Sequence, residues 1–362
     1  THTMYSSSAA SDVYKRQYTY SGSPGPMSAA SSTLTIIEPL LSISKSVNPN
    51  VPPQAGDILT YSIVLTASGG AAGDNYSDAF DLRIDDSLTS GLAYQPGTAS
   101  VDNGDAISDP DVSGDGVTSP QTLVWQLADG TADIDISEGS TVTVSYDVIV
   151  LDSVLVGQTL SNSAVARWTG LDGDNAAERD GSGTPVVNDY FTAPATASLA
   201  TLDNTTLTKT RLSDTFNAAD ANVRVGDQVD YELRLQLDEG SHTALSVSDV
   251  LPTGLQFEQV VSINGDTSAP YSAVAPFSHN DIAAPIVSGN AATGNTTLSW
   301  TLGDVVNASD NNAANDEFVI VYRARILNND VITQTNSTTL TNAATVSYTH
   351  LTLPTMSTTC SC

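Results

Sequence analysis

Lysine is scarce in this chain. Its 362 residues include three, Lys15, Lys45 and Lys209, and the remaining Lys/Arg positions are all arginine. Lys and Arg together number 12 against 41 Asp and Glu, a formal net charge of −29 at pH 7, although only 15% of residues are charged. Such a surface repels nucleic-acid phosphates and anionic membranes, so neither nucleic acid nor membrane insertion is expected of this fragment. A sustained helical period is missing as well. So are a His-Cys-Asp metal cluster, a Gly-rich phosphate loop and a serine-nucleophile motif, which removes the common routes to enzymatic turnover. Of the four histidines, His242 and His279 stand isolated and read as loop residues.

The ends are unlike the rest. "SSAASDVYKRQ", residues 7 to 17, resembles an in-frame translation of a transposase sequencing adapter. "VSYTHLTLPT", residues 346 to 355, resembles the reverse complement of the same element. Residues 1–17 and 346–362 are therefore expected to be non-native and are set aside from fold reasoning. Cys360 and Cys362 fall in the second segment, so the native part has no cysteine, no disulfide framework and no thiolate metal site. Lys15 goes with the first segment, which leaves Lys45 and Lys209.

What remains repeats itself. "GDILTYSIVL" (56–65) returns as "GDQVDYELRL" (226–235), and "LRIDDSLTSGL" (82–92) as "LSVSDVLPTGL" (245–255). "LVWQL" (123–127) returns as "LSWTL" (298–302), "STVTVSYDVIV" (140–150) as "DEFVIVYRARI" (316–326), and "LSNSAVA" (160–166) as "LTNAATV" (340–346). Nearly every block alternates with period two, as Val142, Val144, Tyr146, Val148 and Val150 do. β-branched and aromatic residues fill the blocks, and Gly, Pro, Asn and Asp fill the gaps. The expected fold is all-β, two tandem Ig-like β-sandwiches, with Trp125 and Trp300 in the cores. The expected divisions are 18–33, the tail of a preceding repeat and linker; 34–168, the first sandwich; 169–196, a polar connector; and 197–345, the second sandwich with its last strand truncated.

In "LSISKSVNPN" (41–50), Leu41, Ile43, Lys45 and Val47 share a strand face, so a lysine sits among apolar residues. Leu82, Ile84 and Asp86 share a face, as do Leu245, Val247, Asp249 and Leu251. Asn162 is in register with Leu160 and Ala164, and Asn342 with Leu340 and Ala344. Each repeat thus points one Lys, one Asp and one Asn at its core. Buried singly these groups are costly, whereas together they satisfy one another.

The ordered pattern of a Lys in the first strand, Gly-Asp-x-x-x-Tyr, Asp-x-Leu-Pro-x-Gly-Leu and a closing Asn-x-Ala resembles the bacterial surface repeat called domain of unknown function 11 and the related isopeptide-forming fimbrial domains. The second repeat carries Lys209, "GDQVDY", "DVLPTGL" and "NAA"; the first carries Lys45, "GDILTY", "DSLTSGL" and "NSA". Thr89 stands where the family has proline, which is expected to loosen that turn. The resemblance implies a large secreted or cell-surface bacterial protein, often adhesive, in which Lys45 joins Asn162, and Lys209 joins Asn342, through an amide bond, with Asp86 and Asp249 as catalysts. The chemistry suits the residue types. A lysine attacks an amide only as the neutral amine, which burial favours, and arginine does not deprotonate in proteins. A buried Asp stays protonated and is expected to donate to the Asn carbonyl. The plainer alternatives are a hydrogen-bonded polar cluster or a lysine that snorkels out from an edge strand.

Acidic loops are a second feature. Asp109, Asp111, Ser113 and Asp115 have the spacing that opens a calcium loop, but Pro120 stands where a helix-loop-helix site needs Glu. Calcium held by Asp109, Asp111 and Asp115 is one expectation; solvated turns are the other. No other cofactor is expected. The function expected is structural, a stalk or adhesin fragment at the bacterial surface or outside the cell, with neighbouring repeats and an unidentified host or cell-surface ligand as partners. Its only catalysis would be a single autocatalytic turnover. The competing expectations are a glycan- or matrix-binding module with calcium-ordered loops, and a secreted enzyme that carries these domains as accessories.

Overall fold

The computed structural model describes residues 32–71, 74–103, 107–126, 134–173, 190–214, 222–272, 276–278, 282–329, 332 and 338–349. His279 lies outside them. The first sandwich begins with β1 (Leu41–Asn48), β2 (Ile58–Ala67), β3 (Phe80–Leu88), β4 (Leu92–Tyr94) and β5 (Ser100–Val101). It continues with β6 (Asp111–Ser113), β7 (Thr122–Gln126), β8 (Thr141–Val150), β9 (Thr159–Thr169) and β10 (Ala195–Ala200). One sheet runs β1-β2-β8-β4, with β5 also on β8, and the other runs β10-β9-β3-β7-β6.

The second sandwich comprises β11 (Thr206–Asp214), β12 (Gln228–Gln236), β13 (Gly240–Leu251), β14 (Leu255–Ile263) and β15 (Phe277–Ser278). Then come β16 (Ile286–Gly289), β17 (Thr296–Asn307), β18 (Glu317–Ile326) and β19 (Ala343–Thr349). Its sheets run β11-β12-β18-β14 and β15-β17-β13-β19, with β16 on β17. The two sandwiches therefore share one order, β1, β2, β8 and β4 matching β11, β12, β18 and β14. Every named pairing is antiparallel, and alternate residues bury against the facing sheet. Trp125 and Trp300 are buried in the two cores. Gly91 and Gly254 occupy equivalent turns at φ 98° and 95°, a conformation that disfavours a Cβ.

One expected boundary is corrected. The first sandwich does not end at residue 168. After the connector the chain returns: Tyr190 stacks on Trp168 with ring centroids 5.9 Å apart, and β10 pairs with β9 from Ala195↔Ala164 to Ala200↔Thr159. This satisfies backbone groups that β9 would otherwise expose as an edge. In the second sandwich β19 runs past residue 345, through Val346, Ser347 and Thr349 against β13, and Val346 and Tyr348 pack on the core. His242 is also no loop residue. It is fully buried on β13, its Nε2 is 3.0 Å from the Asp238 carbonyl, and its ring meets Tyr348 edge-on.

The sandwiches meet through a polar seam. Ser241 N–H donates to Val154 O (2.8 Å) and Ser241 Oγ to Asp152 O (2.9 Å), while Ser309 N–H donates to Asp152 Oδ1 (3.0 Å). A side chain at Gly240 would crowd the Val154 carbonyl at 3.0 Å. Glu239, 1% exposed, accepts at Oε2 from Gln54 Nε2 (3.1 Å) and at Oε1 from the N–H groups of Asp310 (2.9 Å) and Asn311 (2.7 Å). Replacing Glu239 by Ala should strip these donors of their partner at a cost of about 1–3 kcal/mol. Calorimetry should then show the two sandwiches unfolding as more widely separated transitions; an unaltered thermogram would show that Glu239 does not couple them.

Candidate functional site

Strand geometry brings the three expected residue types of each repeat together. On β3, Asp86 pairs with Ala164 of β9 and Leu88 pairs with Asn162. Asp86 and Asn162 are thus diagonal neighbours on one face, with the small Ala164 leaving room beside them. β1 lies in the opposite sheet and packs across onto β9 and β10, so Lys45 reaches over the core toward both. In the second sandwich Asp249 pairs with Ala344, two residues beyond Asn342, and β11 carries Lys209 across toward β19.

Lys45 does not snorkel. Its side chain and that of Asp86 are 0% exposed, and Lys45 Nζ bonds Asp86 Oδ2. The rings of Tyr61 and Tyr146 lie 5.2 and 5.3 Å from Nζ. Burial lowers the Lys45 amine from its ordinary 10.5 to about 8, with Asp86 opposing part of the drop. Burial pushes the Asp86 carboxyl up, again against the pull of Lys45. Both shifts favour the neutral amine beside the neutral acid, the protonation state that amide attack needs. In the second site Lys209 Nζ sits 2.6 Å from each oxygen of Asp249. The Lys209 side chain is 12% exposed, and burial lowers its pKa as well. This greater openness has a structural cause: among the described residues β19 has no outer neighbour, where β9 has β10.

A fourth residue type occupies the centre of each site. The hydroxyl of Tyr146 donates to Asp86 Oδ2 and accepts from Lys45 Nζ (3.0 Å) and Asn162 Nδ2 (2.7 Å). Tyr322 repeats this, donating to Asp249 Oδ2 (2.7 Å) and accepting from Asn342 Nδ2 (2.8 Å). The expected bond from Asp to the Asn carbonyl is not made. The tyrosine hydroxyl intervenes and turns the amide nitrogen inward, so among the described residues Asp86 Oδ1, Asn162 Oδ1 and Asn342 Oδ1 find no hydrogen-bond partner. The tyrosines were visible in the sequence as the seventh residue of both "STVTVSYDVIV" and "DEFVIVYRARI", but their period-two position reads as core.

Thr89 does not loosen its turn. Its N–H donates to Ser161 O and its Oγ1 accepts from Ser161 N–H, each at 3.0 Å, which clasps the turn to the residue beside Asn162. A proline there has no N–H to give.

The calcium-like triad does not converge. Asp109 accepts from Tyr94 Oη (2.6 Å) and Gly97 N–H (2.9 Å), Asp115 from the N–H groups of Val117, Thr118 and Ser119, and Asp111 sits exposed on β6. Among the described residues the acidic group whose oxygens approach within 4.8 Å of one another is Glu239, Asp310 and Asp316, at the seam. There Glu239 is already engaged by N–H donors, and Asp316 Oδ1 accepts from Asn307 Nδ2 (3.0 Å).

No protein-family model and no curated protein matches the chain. Solved structures that it resembles include BcpA, the major pilin subunit of Bacillus cereus, at 13% identity and a TM-score of 0.32, covering 89% of this chain and 71% of that one. The C-terminal domain of the AgI/II polypeptide BspA of Streptococcus agalactiae matches at 14% identity and 0.30, covering 79% and 92%. AvmM, which catalyses macrocyclization in alchivemycin A biosynthesis, matches at 12% and 0.30, covering 45% and 89%. Similarity this low leaves the function to be read from the residues.

Proposed function

We propose that each sandwich is a load-bearing module of a bacterial surface stalk or adhesin and closes itself with a Lys-Asn amide bond. One observation supports this above all: a lysine, an aspartate and an asparagine meet inside each sandwich, in a chain with two lysines outside its adapter-like ends. Neutral Lys45 Nζ attacks Asn162 Cγ, the Cγ–Nδ2 bond breaks, and Nδ2 leaves as ammonia. Asp86 gives its proton toward the leaving nitrogen and takes one back from Nζ. Lys209, Asn342 and Asp249 do the same. The bond joins the two sheets of the sandwich, so tension entering through β1 passes to β9 without unzipping the strands between them.

Intact mass is the test. The folded chain should weigh less than its sequence mass by one ammonia per sandwich, and digestion should yield Lys45 and Asn162 on one branched peptide. A full sequence mass, with Lys45 and Asn162 on separate unmodified peptides, would overturn the bond in the first sandwich.

A further inference from the structure

The buried tyrosines remain to be explained. Stacking does not need their hydroxyls: the Tyr61–Tyr146 rings stack at 6.0 Å and the Tyr231–Tyr322 rings at 5.5 Å, which phenylalanine would also do. A buried hydroxyl costs stability unless it is bonded, and the Tyr61 hydroxyl is buried with no hydrogen-bond partner among the described residues. The hydroxyls of Tyr146 and Tyr322 instead lie directly between the carboxyl that would supply a proton and the nitrogen that must receive one. Aspartate and asparagine touch the same hydroxyl in both sandwiches, at 2.7 and 2.8 Å on the asparagine side.

We propose that Tyr146 is the catalytic proton relay of the first sandwich and Tyr322 that of the second, carrying a proton from the aspartate to the departing asparagine nitrogen. This rests on the amide bond proposed above. The step balances. As Lys45 Nζ bonds Asn162 Cγ, Asp86 gives its proton to Tyr146 Oη. Oη gives its own proton to Nδ2, which leaves as ammonia. The Asp86 carboxylate then takes the surplus proton from Nζ. Tyrosine and aspartate end as they began, and ammonia is the only product besides the bond. Burial holds the Tyr146 hydroxyl well above its ordinary pKa, so it keeps a proton to give. Tyr322 is raised for the same reason.

The experiment uses the full chain made by cell-free synthesis, collected in urea before folding, then diluted into buffer while intact mass is followed over time. Tyr146→Phe should slow ammonia loss from the first sandwich by about 10²-fold or more, the usual worth of a positioned acid-base group. The second sandwich of the same molecules, with Tyr322 intact, reports that folding proceeds. Installing 3-fluorotyrosine at 146 keeps the ring and hydroxyl but changes the phenol's acidity, so it should shift the rate, whereas a hydroxyl that only fills space would not. A Tyr146→Phe or fluorinated chain that cross-links at the wild-type rate overturns the relay and leaves the bond standing. A wild-type chain that never loses ammonia refutes the bond itself.

Discussion

Replacing Asp86 by Ala should leave the first sandwich uncross-linked and markedly less stable, while the second still loses its ammonia. The carboxylate is 0% exposed and is the acidic partner of a lysine that is itself fully enclosed. The uncross-linked variant keeps a free lysine in the core with no acidic partner, and a buried charge left without its partner costs about 3–5 kcal/mol. The cost falls on the lysine: with its counter-charge gone, burial alone acts on it, and its pKa should drop below the value of about 8 that it has beside Asp86. The neutral amine then becomes more abundant, so a rate limited by amine protonation alone would rise. A rate that collapses instead identifies Asp86 as an acid-base participant. Intact mass should show one ammonia retained, and peptide mapping should place it at Lys45 and Asn162. Asp86→Asn keeps the size of the side chain and separates the two effects, since it restores hydrogen bonding without restoring the proton. Cross-linking of the first sandwich at the wild-type rate in both variants would remove Asp86 from the mechanism.

Period-two alternation was enough to put Lys45, Asp86 and Asn162 on core-facing positions, because a strand leaves each side chain only two directions. The repeat did the same for Lys209, Asp249 and Asn342, and the two tryptophans followed from the same rule. The tyrosines escaped because a Tyr at an inward position looks like any other core aromatic. Alternation gives the face of a residue and not the distance between two facing sheets, and that distance puts the Tyr146 hydroxyl among the polar groups. β10 escaped for a different reason. "ATASLA" has small residues and weak alternation, and its place is set by the open edge of β9, which local sequence does not record. The seam was hidden likewise: Glu239 is an ordinary acidic turn residue until Gln54, nearly two hundred positions away, donates to it.

Asn162→Ala should measure what the bond contributes. It preserves the Lys45–Asp86 pair and the Tyr146–Asp86 bond, and it removes the carbonyl carbon that the amine attacks. The ring from Lys45 to Asn162 is on the order of 100 residues, for which the chain-entropy account of a cross-link gives about 4.7 kcal/mol. Losing the Asn162 hydrogen bond adds only about 1 kcal/mol, so the two contributions can be told apart. For a domain of this size the larger figure corresponds to a fall in melting temperature of roughly 10–20 °C. A fall of only a few degrees would mean that no covalent ring had closed in the wild type. The variant also exposes the lysine's own pH dependence. Its pKa is about 8 folded against 10.5 unfolded, so between those values the unfolded chain holds a proton that the folded chain has released. Stability therefore rises with pH across that window, and below pH 8 the lysine must be charged in both states and its burial is a standing cost. The cross-linked wild type has an amide in place of the amine and should show no such rise. A pH scan of urea unfolding from 7 to 10.5 on both proteins separates them. Parallel profiles would mean that Lys45 remains a free amine in the wild type.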